Sequence, residues 1–399
     1  MSNVAYLEDG PRVLSLYEGF FAGGARILHT AVVRALDATT PQRHQVLSLS
    51  DRVRRELTAQ AMSEDTSYRR LVAAGVRVDA LRRMPTDPLG ARHLRRLERA
   101  VAQADVLLSL KEQPLTALAQ AGTGDVPLLV SLHRSDPEHQ GPGLEALVDL
   151  YDAGRLTAAV CCAHSTQAAY HAATGIPLAQ LPVVPNGVDL YRFRPDPAQR
   201  RETRARFGAD DEAPVVLIAA RFDAMKDIPL FVRSAGRFVR EHPGAHLVMC
   251  GAGMTPDNAA LAGVLATELR GWEGLDTRVH ALGICSRMAP LYNAADLVVL
   301  TSAYGEAAPL CLLEGMACGA VPVTTDVGDA ARIVGDPRLV AGREPRALAE
   351  AWAAAYAGRE EHAARILRHR QRLSEQRCFD TYAALIRDAA ADRSLELAV

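Results

Sequence analysis

The sequence predicts an α/β protein of two parallel-sheet domains, similar in size and facing each other across a cleft. Three observations carry this. Short apolar runs alternate with helix-length amphipathic segments along the whole chain, as in βαβ units. A charged, proline-containing stretch interrupts the alternation near its middle. The 399 residues, 49% of them hydrophobic, suffice for two or three domains with substantial cores.

Strands are expected at 13–17, 46–49, 106–110, 127–132, 158–162 and 181–184 before the break. After it they are expected at 215–220, 246–250, 279–282, 297–300 and 321–324. Helices fall between them. In the one starting near Ile228, Phe231, Ala235, Phe238 and Val239 recur on one face and form a buried stripe. The stretch 189–213, DLYRFRPDPAQRRETRARFGADDEA, has almost no core-forming run and reads as the interdomain connection. This sets an N-terminal domain at 1–188, a C-terminal domain at 189–375 and a C-terminal helix, 376–399, packing back toward the N-terminal domain. In open α/β sheets ligands lie beyond the carboxyl ends of the strands, which here line the cleft.

Composition removes several classes of function. Forty-five basic residues against 47 acidic ones give a net charge of −2, without the basic excess of a general nucleic-acid binder. Seven cysteines are scattered without paired CxxC elements, so neither a zinc site nor a disulfide framework is expected. MSNVAYLEDGPR lacks the basic and apolar regions of a signal peptide, and no uncharged apolar stretch nears the roughly 20 residues of a membrane span. The expectation is a cytoplasmic protein. Only Lys111 and Lys226 are lysines among the 45 basic residues, a bias resembling that of a high-GC bacterial genome. Two lysines that persist against this bias are candidates for work that arginine does poorly.

The segment 304–334, YGEAAPLCLLEGMACGAVPVTTDVGDAARIV, is the richest in chemistry. Strand 297–300 ends in Thr301 and Ser302, a short loop delivers Glu306, and Pro309 suits the first turn of a helix. Backbone N–H groups near Ala308 and Leu310 then form a helix N-terminus able to take a phosphate. Glu314 follows about two turns on. Taken alone, two such glutamates could equally serve the helix dipole and solvent.

The spacing Glu306-x7-Glu314 followed by GMACGAVPVTTDVGDAARIVGD closely resembles the donor-site signature of the retaining glycosyltransferase family 4, whose fold is GT-B, two Rossmann-like domains. PNGVDLYRF at 185–193, AARFDAMKD at 219–227 and LYNAADLVVLTS at 291–302 resemble further motifs of the family, in the right order. The resemblance implies that Arg221 and Lys226 neutralise the diphosphate of a sugar nucleotide, and that Glu314 holds the ribose hydroxyls and Glu306 a hydroxyl of the donor sugar. It also implies that the base lies against Gly283 and Ile284. The family usually has Gly before this Arg and often after this Lys, where Ala220 and Asp227 stand here. It often has Glu at the position of Arg332. Gly23 and Gly24, in EGFFAGGARI after the first strand, resemble the glycine-rich loop that meets donor phosphate and acceptor. His133, in SLHRSDPE, resembles the active-site histidine that contacts the donor sugar. Asp136 is a candidate to orient His133 or meet the acceptor, and Lys111, at the end of strand 106–110, a candidate for the acceptor site.

The implied activity is sugar transfer, with retention, from a nucleotide diphosphate, by family habit UDP, to a hydroxyl of a small acceptor such as an aminocyclitol antibiotic intermediate. No metal or other cofactor is expected, and the partners are a nucleotide sugar and a small-molecule acceptor. Glycolipid or cell-envelope transfer, a GT-B epimerase or phosphorylase, and a non-catalytic nucleotide-sugar binder stay open, as does the oligomeric state, a homodimer included. A nicotinamide dehydrogenase is disfavoured because EGFFAGGARI replaces the G-x-G-x-x-G turn. Some family members rest an arginine-rich face on anionic lipid; for residues 77–99 an ordinary solvated helix face is the expectation.

Overall fold

The computed structural model describes residues 10–21, 23–55 and 58–396. The first nine residues, Ala22 of the glycine loop, Glu56, Leu57 and the last three residues lie outside that description. The chain divides into two units, residues 1–186 with 376–399, and Gly187–Glu375.

In the first unit, β1 (Arg12–Tyr17), β2 (Arg43–Ser48), β5 (Arg77–Ala80), β6 (Val106–Leu110), β7 (Leu128–Leu132) and β8 (Leu156–Cys161) form a parallel sheet ordered β5-β2-β1-β6-β7-β8. A separate antiparallel pair, β3 (Arg52–Arg55) and β4 (Thr58–Ala61), follows β2. In the second unit, β9 (Val215–Ala219), β10 (His246–Cys250), β11 (Val279–Ala281), β12 (Leu297–Leu300), β13 (Val321–Thr325) and β14 (Val340–Ala341) run in the order β11-β10-β9-β12-β13-β14. Strands β6, β7, β10, β12 and β13 are buried along their whole length. Such burial on both faces explains why they read as continuous apolar runs. Each sheet starts at its centre: the chain winds outward one way from β1 or β9, then returns beside it as β6 or β12. The gaps between β1 and β6 and between β9 and β12 are therefore the switch points at which open α/β sheets take ligands.

Helix Ile228–Glu241 buries the expected stripe of Phe231, Ala235, Phe238 and Val239. Phe231 and Phe238 pack on Trp352, which is fully buried, with ring centroids 5.3 and 5.9 Å away. Helix Gln376–Glu396 belongs to the first unit, where Tyr382 hydrogen-bonds Ser131 at 3.0 Å and the Ala383 carbonyl accepts from Gln42 at 2.9 Å.

Two expectations are corrected. Residues 181–184 are not a strand: between Pro182 and Pro185 the chain makes a single bridge, Val183 to Cys161. The strand beside this bridge, β8, is one edge of the sheet, and the opposite edge is Arg77–Ala80, whose short, polar RVDA reads poorly as a strand. The charged stretch 189–213 is no mere connection. It folds within the second unit as helix Pro197–Phe207. Arg204, 1% exposed, and Arg200 both hold Asp296, at 3.2 and 2.6 Å, and Arg204 also donates to the carbonyls of Asp210 and Ala213. These partners satisfy a guanidinium that would otherwise be costly to bury.

Candidate active site

The switch point of the second unit is built from the loops after β9 and β12. Beyond β9 the chain is held in register by backbone bonds from Ala220 to Cys250 and from Phe222 to Ala252, 2.9 and 2.8 Å. Gly251, at φ 138°, is required there, since a Cβ would stand 1.9 Å from the Ala220 carbonyl oxygen. Gly253, at φ 76°, likewise sits where a Cβ would come within 2.9 Å of Phe222 Cβ, so both glycines serve the approach of the two loops to each other. Asp223 accepts from the Lys226 N–H at 3.0 Å and pairs with the Arg221 guanidinium at 2.9 Å.

From this loop Lys226 reaches Glu306, 80 residues on, and the two form an ion pair in which ammonium and carboxylate are both largely buried. Ser302 donates to the same carboxylate oxygen at 2.6 Å. Thr301 donates to the carbonyls of Lys226 and Asp227 at 2.9 and 3.2 Å, tying the two loops together. Asp227 explains one departure from the family pattern. Its φ of 45° lies in the left-handed region that glycine favours, while its carboxylate caps the Leu230 N–H at 3.2 Å and binds Arg343 at 2.9 Å.

Helix Leu310–Cys318 begins just after Glu306, with Pro309 as its N-cap residue and not inside its first turn. Ala308 and Leu310 lie at this terminus, where the Leu312 N–H donates to the Pro309 carbonyl at 3.3 Å. Gly328 packs on the Glu306 carbonyl so closely that a Cβ would come within 2.2 Å of it. Glu314 lies farther along the helix. Burial pushes its carboxyl up to about 7, against the opposing pull of a hydrogen bond from Tyr292 and the charge of Arg192. Arg192 also donates to the Ser286 carbonyl at 3.2 Å, in the loop that carries Gly283 and an exposed Ile284. Tyr292 and Arg192 lie inside motifs visible in the sequence, LYNAAD and PNGVDLYRF, yet their convergence on Glu314 needs the fold.

At the first unit's switch point, Gly23 is the N-cap residue and Gly24 the first residue of helix Gly24–Thr39, after β1. Arg26 is buried, donating to the Phe21 carbonyl at 2.8 Å with its guanidinium 3.9 Å from the Phe21 ring centre. Lys111 follows β6 with φ 70°, a left-handed conformation unusual for a lysine. Burial and the charge of Arg26 lower its pKa. Neighbouring Glu112, 2% exposed, is raised by burial to about 7, and its Oε1 has no hydrogen-bond partner among the described residues. His133 follows β7. Burial first, then the charge of Lys111, lowers it to about 3, so its imidazole is neutral at physiological pH; its Nε2 is buried and has no hydrogen-bond partner among the described residues. Asp136 is held by Arg134, with Nε to Oδ1 at 2.6 Å, and by His139 at 3.3 Å. Neither partner is His133. Glu112 was missed from sequence because one glutamate after a strand carries no pattern of its own.

Among the described residues no cluster of metal-ligating side chains occurs and no helix is long and apolar enough to cross a membrane.

Residues 22–192 match the family model "Glycosyltransferase Family 4", and residues 213–357 match "Glycosyl transferases group 1". Among curated relatives, D-inositol 3-phosphate glycosyltransferase of Segniliparus rotundus is 30% identical over 178 residues, 44% of this chain and 36% of the relative. The enzyme of the same name from Paenarthrobacter aurescens is 30% identical over 232 residues, 56% of this chain and 53% of the relative. The chain thus spans between about a third and about half the length of these relatives. Anabaena HepE in complex with UDP and glucose superposes with a TM-score of 0.75 at 20% identity, over 96% of this chain and 98% of that one. Sucrose-phosphate synthase of Thermosynechococcus elongatus gives 0.73 at 18% identity, over 96% of this chain and 100% of that one. With the family 4 model matching the first part of the chain and the group 1 model the second, and with likeness of fold along nearly the whole length, the chain is of the glycosyltransferase family 4 type and has the GT-B fold.

Proposed function

We propose that this protein transfers a sugar, with retention at the anomeric carbon, from a UDP-linked donor to a hydroxyl of a small polyol acceptor, and that it does so in the cytoplasm without a metal. The observation that carries the reading is the buried pairing of Lys226 with Glu306 at the switch point of the second unit. A diphosphate arriving beside this pair would draw the ammonium toward itself. The freed carboxylate would accept from a hydroxyl of the donor sugar.

As the bond from the anomeric carbon to phosphate oxygen breaks, negative charge grows on the diphosphate. Arg221, Lys226 and the first-turn N–H groups of helix Leu310–Cys318 are suited to stabilise it. The acceptor hydroxyl forms the new carbon–oxygen bond on the face the diphosphate leaves, and its proton passes to the departing phosphate oxygen. Glu314 takes the ribose hydroxyls and the backbone of Gly283 and Ile284 the base. In the first unit Gly23, Gly24, Lys111, His133 and Asp136 are assigned to the acceptor and the sugar, the neutral His133 accepting a hydroxyl proton through Nε2.

Relatives named for D-inositol 3-phosphate make a hydroxylated six-membered ring the acceptor to test first, and an aminocyclitol intermediate belongs to the same chemical class. The test is incubation of the full chain with UDP-sugars and either D-inositol 3-phosphate or an aminocyclitol, read by mass spectrometry, with anomeric configuration by NMR. One hexosyl added with retention supports the proposal. Donor isomerised without any acceptor product would turn it toward an epimerase.

A further inference from the structure

Cys250 and Cys285, distant in sequence, meet at the edge of the second unit's sheet. Cys250 is the last residue of β10 and is buried; Cys285 lies in the loop after β11 and is partly exposed. The two strands pair with Met249 opposite Ala281. The ladder continues past β11 through Leu282 N–H to the Met249 carbonyl at 2.9 Å and Gly251 N–H to the Gly283 carbonyl at 2.7 Å, which sets Cys250 opposite Leu282. The Cys285 side chain folds back over this same turn, its sulfur 3.9 Å from the Leu282 carbonyl oxygen and 3.7 Å from that of Gly283. The Gly283 carbonyl it approaches accepts from Gly251, next in the chain to Cys250, whose own sulfur lies 3.9 Å from Met288 Sδ.

The two thiols differ in reactivity. The neighbouring Cys250 thiol brings Cys285 down to about 7, while the Cys285 thiol and burial together raise Cys250 well above the usual thiol range. Cys311, close by on helix Leu310–Cys318, is pushed up to about 12, chiefly by burial. Only Cys285 of the three therefore combines exposure with thiolate character, and a second thiol stands beside it.

We infer that Cys285 is a thiol-modification site, oxidised by hydrogen peroxide and resolved by Cys250 as a reversible disulfide between β10 and the loop after β11. The Cys285 thiolate attacks one peroxide oxygen, the O–O bond breaks, and the departing hydroxide is protonated to water, leaving a sulfenic acid. The Cys250 sulfur then attacks the sulfenic sulfur. The S–O bond breaks, and its oxygen leaves as a second water with the Cys250 proton. Two thiols and one peroxide give one disulfide and two waters.

The consequence rests on the donor reading above. A disulfide holds its sulfurs about 2 Å apart, so closing it draws the loop toward β10 and displaces Gly283 and Ile284, to which the base is assigned. Misplacement of binding groups by about 1 Å can cost about a hundredfold in rate. Oxidation is expected to weaken UDP binding by about tenfold or more.

The test treats reduced full-length protein with hydrogen peroxide, maps it by mass spectrometry after digestion without reductant, and titrates UDP into the reduced and oxidised forms. A peptide pair linked through Cys250 and Cys285, reversed by dithiothreitol and absent from Cys285→Ser, is expected. Cys285→Ser should also keep its UDP affinity under peroxide. Cys285 driven to sulfinic acid with no link, or linked to another cysteine, would overturn the inference. A Cys250–Cys285 link with unchanged UDP affinity would overturn the control of donor binding. Failure of the reduced protein to bind UDP would instead overturn the donor reading, the peptide map still deciding the thiol pair.

Discussion

At the switch point of the 187–375 unit the charges are matched: Lys226 meets Glu306, Ser302 donates to the same oxygen, and Arg221 pairs with Asp223. At the equivalent point of the other unit, Lys111 makes no ion pair among the described residues, Glu112 Oε1 and His133 Nε2 have no hydrogen-bond partner among them, and burial shifts all three toward their neutral forms. The sheets share one topology, so the difference lies in what each site is prepared to meet. A paired ammonium can be handed to a diphosphate and leave a carboxylate for the sugar. Near-neutral acceptors and donors suit a hydroxyl-bearing ligand, whose own groups would complete their hydrogen bonds.

The largest expected effect is on the matched side. Lys226→Ala should lower turnover by about 10²–10³-fold, the cost of losing one group that stabilises a growing negative charge, measured with a UDP-sugar and a verified acceptor. Replacement of Lys111 by glycine tests a different quantity. Lys111 carries left-handed backbone and a desolvated ammonium, so Lys111→Gly should stabilise the protein by about 1 kcal/mol, a rise in melting temperature of about 2–4 °C, while reducing activity. A Lys111→Gly protein that melts lower would show that the lysine is structural.

A smaller effect is the pH dependence of Glu112. Its folded-state pKa, about 7, is above its ordinary 4.5. The native state therefore holds the proton more firmly than the unfolded chain, and the stability this confers is full below about 4.5 and lost as pH rises through about 7. Between about pH 5 and about pH 8 the wild type should lose more melting temperature than Glu112→Gln, with Glu314, which is shifted the same way, present in both. Equal losses would remove Glu112 from the set of buried unpaired groups. The smallest effect is expected at Asp227→Gly, where relief of a left-handed φ offsets a lost cap and the Arg343 pair. Denaturant unfolding should place it within about 0.5 kcal/mol of wild type.

The fold class was legible because buried parallel strands are short apolar runs, and 106–110, 246–250 and 297–300 read without error. The failures have physical causes. The apolar run 181–184 is flanked and broken by prolines, which supply no ladder donors. RVDA at 77–80 looks polar because it is an edge strand, and Arg204 looks solvated although Asp296 and backbone carbonyls lie out of sight of local sequence. At the site, the motifs named Lys226, Glu306 and Glu314. That Lys226 touches Glu306, that Arg192 and Tyr292 converge on Glu314, and that Lys111 is left-handed are tertiary facts with no local signal.

The central claim, that the Lys226–Glu306 pair opens to hold a nucleoside diphosphate, is tested most directly by a crystal structure of the full chain with UDP. The account predicts Lys226 Nζ within about 3 Å of a phosphate oxygen, the uracil against Gly283 and Ile284, and Glu306 released from the ammonium. UDP bound elsewhere, or bound with Lys226 still paired to Glu306 and distant from the phosphates, would contradict it.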